Sequence, residues 1–249
     1  MPSAVSRERV ALIHGVGLDG SMWNPLREYL EPEYDVQILE LLGHGHRPPA
    51  PEGITLAELA ADVAERLEPN THLVGFSLGA LIAQHLARYR PDLVASLVSV
   101  ASVCARTSQE HAAVMVRLAS AETDFPATIE ASIRRWYPED SAVPAELIHA
   151  TREVLQRNNP KSFLACYRVF ATADAEIAPE LPLISVPSHA VTGELDPGST
   201  PEMSARLAAA IPGCTYCIIP GARHMMPVER PQDLAHTLTA FIKEHSDVH

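Results

Sequence analysis

The run Gly75-Phe76-Ser77-Leu78-Gly79 sets a serine between two glycines, where an apolar stretch from His72 to Phe76 meets a helical pattern from Leu78 to Tyr89. A hydroxyl on such a strand-to-helix turn stands clear of a sheet edge, and small neighbours let the chain turn tightly enough to hold it there. The helix behind it turns its N-terminal dipole toward negative charge developing at the serine. Ala80 and Ala83 keep that helix slim where it crosses the strand. A glycine-rich turn with a capping serine would use the same letters. The strand-turn-helix context is what favours a nucleophile.

A serine hydroxyl is a poor nucleophile until a base takes its proton. Of the twelve histidines, His224 follows the last apolar run, in Pro220-Gly221-Ala222-Arg223-His224, on a loop where a strand end delivers functional groups. An acid that orients the imidazole is then expected between the serine and the histidine in the chain. Val191-Thr192-Gly193-Glu194-Leu195-Asp196 supplies two, of which Asp196 is preferred and Glu194 is the competitor. Ala101-Ser102-Val103, after the Leu93–Val100 run, holds no acid. Negative charge on the attacked oxygen needs preorganised donors. The backbone N–H groups of Leu78 and of Val16, in His14-Gly15-Val16-Gly17, are assigned that role. His14 reads as a loop-ordering side chain. His44 and His46 flank Gly45 without a carboxylate at ligand spacing, so no metal is expected.

These groups need a scaffold. Apolar runs at Val10–Ile13, Tyr34–Leu39, His72–Phe76, Leu93–Val100, Pro187–Thr192 and Thr215–Ile219 read as strands. They alternate with helical patterns at Thr55–Leu67, Leu78–Tyr89, Pro201–Ala210 and beyond Pro231, the signature of a parallel sheet with crossover helices. Thr55 and Glu58 form a capping box. From about Val103 to Leu181 the strand runs vanish, and Phe125, Trp136, Tyr137, Phe163, Tyr167 and Phe170 gather. This stretch reads as a helical cap (103–181) inserted into a core formed by 1–102 and 182–249.

Composition narrows the partners. Thirty-one acidic against nineteen basic side chains give a net charge of −12 in 249 residues. That argues against nucleic acid or an anionic membrane surface, which require a positive field. No apolar run is long enough to span a bilayer, and polar Met1–Arg9 does not read as a signal peptide. Four cysteines in a chain this long are no disulfide framework. Cys214 and Cys217 lie at a strand spacing that points them to opposite faces, as packed thiols. A cytoplasmic protein acting on a small molecule is expected, with a homo-oligomer left open.

The order His14-Gly15…Trp23, Gly43-His44-Gly45, Gly75-x-Ser77-x-Gly79, Gly193-x-x-Asp196 and Gly221-x-x-His224…Glu229-x-Pro231 resembles the bacterial α/β-hydrolase superfamily along nearly the whole chain. Within it the chain looks most like 3-oxoadipate enol-lactonases and related small esterases, the cap contributing Trp136-Tyr137-Pro138 and Phe163-Leu164-Ala165-Cys166 ahead of Asp174. The resemblance implies an α/β-hydrolase fold and hydrolysis of a carboxylic ester or lactone through Ser77, His224 and Asp196, without a cofactor. Glu40 stands where the family usually has Asp, and Arg47-Pro48-Pro49 replaces its usual serine. Leu78 replaces a common Met or Gln and is expected to alter the acyl-pocket wall. Met225 stands where carbon–carbon bond hydrolases generally carry Trp. Trp23, Trp136, Phe163, Arg168 and Met225 are candidate substrate contacts. Arg134, Arg135 and Arg168 could meet a carboxylate, although a solvated face is the simpler reading of them. Amide, thioester or carbon–carbon hydrolysis and perhydrolysis share the same machinery, and a ligand-binding receptor on this fold is the non-enzyme alternative.

Overall fold

The computed structural model describes residues 7–246. Most of the polar N-terminal segment read above as lacking a signal peptide, residues 1–6, lies outside the described residues. In chain order the elements are β1 (Arg9–Ile13), α1 (Asn24–Leu30), β2 (Asp35–Leu39), α2 (Leu56–Ala64), β3 (Thr71–Phe76), α3 (Leu78–Tyr89) and β4 (Val94–Val100). Four helices follow without an intervening strand: α4 (Ser108–Thr123), α5 (Phe125–Trp136), α6 (Ala145–Arg157) and α7 (Pro160–Ile177). The chain ends with β5 (Ser188–Gly193), α8 (Pro201–Ala210), β6 (Thr215–Ile219), α9 (Met226–Glu229) and α10 (Pro231–Glu244).

Six strands form one sheet in the order β2-β1-β3-β4-β5-β6, every neighbouring pair parallel. Parallel strands are covered on both faces, which is why β3 reads as an almost unbroken apolar run and is buried at every residue. Alternate side chains feed two cores. Ala11, Ile13 and Leu73 pack with Leu59 and Val63 of α2, Leu81 of α3 and Leu207 of α8. Val10, Leu12 and Val74 pack on the other face with Leu26 and Leu30 of α1 and Leu234 and Leu238 of α10. Cys214 and Cys217 join opposite cores, in line with the strand spacing.

The Thr55 capping box forms: Thr55 Oγ1 accepts from Glu58 N, and Glu58 Oε2 accepts from Thr55 N. α2 stops three residues short of the expected Leu67, because Arg66 N and Leu67 N bond to carbonyls only three residues back and tighten the last turn. α1 and α9, short and without a full apolar stripe, are additions to the elements read from sequence. No helix among the described residues is long and apolar enough to cross a membrane.

Chain order reverses at β1: the path goes outward to β2, then returns to β3 on the other side. Ligands on open parallel sheets bind outside the carboxyl ends of the strands at such a switch point. Gly15 follows β1 there, and Ser77 follows β3.

Candidate active site

Ser77 joins β3 to α3 with φ 53° and ψ −112°, a left-handed conformation that costs a non-glycine residue about 1–3 kcal/mol. The surroundings hold it there. Ser77 N donates to Val100 O at 3.0 Å, and Ser77 O accepts from Ala80 N at 3.0 Å. A Cβ on Gly75 would collide with the Gly79 carbonyl, and one on Gly79 would collide with the Ile13 and His14 carbonyls. Both glycines are therefore required by close approach of backbone. The Ser77 hydroxyl has no hydrogen-bond partner among the described residues and lines a cavity over the strand ends.

Gly193 does the corresponding work at the end of β5. A Cβ there would strike the carbonyls of Ala222 and Arg223, so its absence lets the β5 and β6 loops touch. Leu195 N donates to Ala222 O at 2.9 Å across the same contact. The two loops bring His224 Nδ1 to 2.6 Å from Asp196 Oδ2. Asp196 Oδ1 accepts from Gly198 N and Ser199 N at 2.8 and 3.0 Å. A carboxylate has no proton to give, so Nδ1 carries the hydrogen and Nε2 is left as the acceptor. Glu194 is turned away: its Oε2 accepts from Gly221 N at 2.8 Å on the exposed side of the turn. Glu229 accepts from Arg223 N at 2.7 Å and steadies the residue before the histidine.

The loop after β1 approaches from the other side. A Cβ on Gly15 would lie 3.1 Å from Ser77 Cβ. Leu78 opens α3, so its N–H has no intrahelical acceptor. Val16 N forms no hydrogen bond among the described residues, whereas the next two, Gly17 N and Leu18 N, are both bonded.

The loop is held by two buried imidazoles. His14 Nδ1 donates to Gly15 O at 2.8 Å while Nε2 accepts from Leu41 N at 3.0 Å. His44 Nδ1 donates to Leu42 O at 3.0 Å while Nε2 accepts from Gly17 N at 2.8 Å. Both rings are thus fixed as neutral tautomers with every nitrogen occupied by backbone. Burial lowers the His14 pKa from 6.5 to about 4; burial, then the neighbouring His14, lowers that of His44 to about 3. The unfolded chain therefore binds more protons than the native one below pH 6.5. This part of the stability is complete above 6.5 and is lost as pH falls toward 4 and 3. Between pH 6.5 and 5 the loss is about 2 kcal/mol per ring. Urea unfolding at pH 7 and pH 5 checks this, and a flat unfolding free energy over that interval would contradict it.

The cavity is small, about 60 Å³. Ser77, Asp196, His224 and Val16 line its floor, while Trp136 and Phe163 face them from α5 and α7. Trp136 stacks on the His224 ring at 5.6 Å and 23°. Three expected substrate contacts lie elsewhere. Trp23 is fully buried and packs edge-on against Phe76 at 6.3 Å, because the turn before α1 carries it into the core beneath the sheet. Met225 is also fully buried in that core. Arg168 points to solvent and pairs with Glu122 at 2.7 Å. The Leu78 side chain, expected in the acyl-pocket wall, is buried under the turn within the α3 core.

Arg117, Thr128, Ser132, Arg135 and Tyr167 also line the cavity. Of these, the sequence marks only Arg135 as a possible carboxylate contact, with a solvated face as the simpler reading. The signal was present: Thr128, Ser132 and Arg135 recur at helical spacing beside the buried Ile129, Ile133 stripe of α5.

The profile of the alpha/beta hydrolase family matches residues 10–237, and the chain belongs to that family. Among its relatives is an (E)-2-((N-methylformamido)methylene)succinate hydrolase of Acinetobacter baylyi, 30% identical over 95% of this chain and 90% of its own. A pimeloyl-[acyl-carrier protein] methyl ester esterase of Vibrio vulnificus is 28% identical over 93% of each chain. The crystal structure of the enol-lactonase from Burkholderia xenovorans superimposes with a TM-score of 0.84 at 25% identity, covering 97% of this chain and 93% of that one. By this relationship the chain is a hydrolase.

Proposed function

We propose that this chain hydrolyses a small-molecule carboxylic ester or lactone through an acyl-enzyme on Ser77. One observation carries the reading: the strained serine turn and the Asp196–His224 pair open onto one cavity, with Ser77 Oγ and His224 Nε2 both without hydrogen-bond partners among the described residues. His224 Nε2 takes the hydroxyl proton as Ser77 Oγ attacks the carbonyl carbon. Asp196 holds the ring in the required tautomer and stabilises the imidazolium. The oxyanion that forms is met by the N–H groups of Val16 and Leu78 and by the N-terminus of α3. The tetrahedral intermediate collapses as His224 returns the proton to the leaving oxygen. Water, deprotonated by the same nitrogen, then attacks the acyl carbon and releases the acid and Ser77.

Helices α4 to α7 act as the cap in this scheme, closing the cavity over the strand ends and selecting the substrate. An ester or lactone is favoured over the other bonds because related chains are named as a methyl ester esterase and an enol-lactonase. A panel of p-nitrophenyl esters, lactones and simple amides tests this. Short esters or lactones are expected to turn over, and the corresponding amides at least a hundredfold more slowly. Turnover of the amides alone would reverse the assignment.

A further inference from the structure

Most arginines of α4 to α7 and of the loops around them have an acidic partner. Arg106 pairs with buried Asp174 at 2.5 Å, Arg152 with Glu130 at 3.1 Å and Arg168 with Glu122 at 2.7 Å. Arg117, Arg134 and Arg135 have none among the described residues, although the chain carries twelve more acids than bases; Arg134 is exposed and outside the cavity, unlike Arg117 and Arg135. Both side chains are partly buried, and both line the cavity that holds Ser77 and His224. They also line a second groove between α4 and α5, so both side chains border the two spaces.

An unpaired guanidinium in such a place is costly, and two near one another are more so. Burial, then the charge of Arg117, lowers the Arg135 pKa below its ordinary value. Arg135 still has donors to spare: a guanidinium carries five N–H groups, and its one side-chain hydrogen bond goes to Ser132 Oγ at 3.2 Å. Neither carboxylate that lines these spaces pairs with them among the described residues. Asp196 is committed to His224, Gly198 and Ser199. Asp124, in the second groove, caps α5 by accepting from Ala127 N at 2.9 Å. Two inward cations without an internal counter-charge call for an external anion.

We propose that Arg117 and Arg135 form a carboxylate-binding subsite, so that the preferred substrate is an ester or lactone of an acid bearing a second, ionised carboxylate. This rests on Ser77 being the nucleophile. The Arg135 guanidinium lies 5.9 Å from the Trp136 ring, and that ring stacks on His224 at 5.6 Å. A single indole thus separates the cation from the imidazole, a span suited to a substrate with a few methylene groups between its two carbonyl carbons. A guanidinium also pairs with carboxylate in a planar, two-pronged geometry that an ammonium lacks.

Monomethyl glutarate and methyl pentanoate, which differ by a carboxylate in place of a methyl group, test the subsite. The wild-type protein is expected to show a kcat/KM at least about tenfold higher for the anionic ester, since charge-assisted hydrogen bonds are the strong ones. In the Arg117→Gln, Arg135→Gln double variant the anionic-to-neutral ratio is expected to fall by about a hundredfold, two such bonds being lost. With Arg117→Gln kept in place, Arg135→Lys instead of Arg135→Gln should restore less than half of that selectivity. A wild-type ratio near one, or a ratio unchanged in the double variant, overturns the subsite. Calorimetry with Ser77→Ala protein separates this outcome from failure of the hydrolase reading. If neither ester turns over but monomethyl glutarate binds and methyl pentanoate does not, the subsite stands and the hydrolase reading falls. If the two bind alike or not at all at millimolar concentration, the subsite falls.

Discussion

Ser77→Ala is expected to lower kcat by about a millionfold while leaving the folded protein intact. The effect is this large because nucleophile and base act as a unit, and neither accelerates acyl transfer without the other. The fold should tolerate the change. The Ser77 hydroxyl has no protein partner among the described residues, so its removal orphans no buried donor or acceptor. The left-handed backbone at φ 53° is equally strained for alanine and is held by the same Gly75 and Gly79 contacts. A surface-like stability change, within about 0.5 kcal/mol, is expected. Turnover of the best ester from the panel, measured beside a thermal melt, checks both halves. A melt lowered by many degrees would mean that the serine supports the turn structurally.

Asp196→Asn carries the second largest effect, a fall in kcat of about ten-thousandfold. The reason lies in the hydrogen bonds on the far oxygen. Asp196 Oδ1 accepts from both Gly198 N and Ser199 N, so in asparagine the carbonyl oxygen must stay on that side. The amide nitrogen then faces His224, where Nδ1 must accept rather than donate. The imidazole is driven to the other tautomer, Nε2 keeps its hydrogen, and the serine has no base. Glu194→Gln is expected to do little by comparison, because a glutamine oxygen can still accept from Gly221 N. Steady-state kinetics on both variants decide between the acids. A large loss in Glu194→Gln with none in Asp196→Asn would exchange their roles.

What could be read from the chain follows from what is local. The Gly75–Gly79 turn, the Thr55 capping box and the six strands are set by residues adjacent in sequence, and the parallel order makes their ends converge. Gly193 and His224 were legible for the same reason, each following an apolar run. The helical stretch between β4 and β5 resisted reading residue by residue. Its four helices pack on one another and, through α7, on α3, so a fraction of a turn about a helix axis decides whether an arginine meets solvent or the cavity. Arg134, Arg135 and Arg168 have the same chemistry, yet Arg168 on α7 meets Glu122 on α4, far off in the chain, and Arg135 turns inward beside Arg117. Trp23 went astray for a related reason. Its neighbours in sequence form the loop at the cavity, but the 3-10 turn at Gly20–Trp23 carries its ring to the opposite side, against Phe76.

The central claim is that Ser77 is an activated nucleophile. Covalent labelling with a fluorophosphonate, followed by mass spectrometry of the peptide spanning residues 67–88, tests it most directly. The wild-type protein is expected to take up one phosphonyl group, on Ser77, and the Ser77→Ala protein none. A folded wild-type protein that stays unlabelled, or a label that persists in Ser77→Ala, would contradict the account.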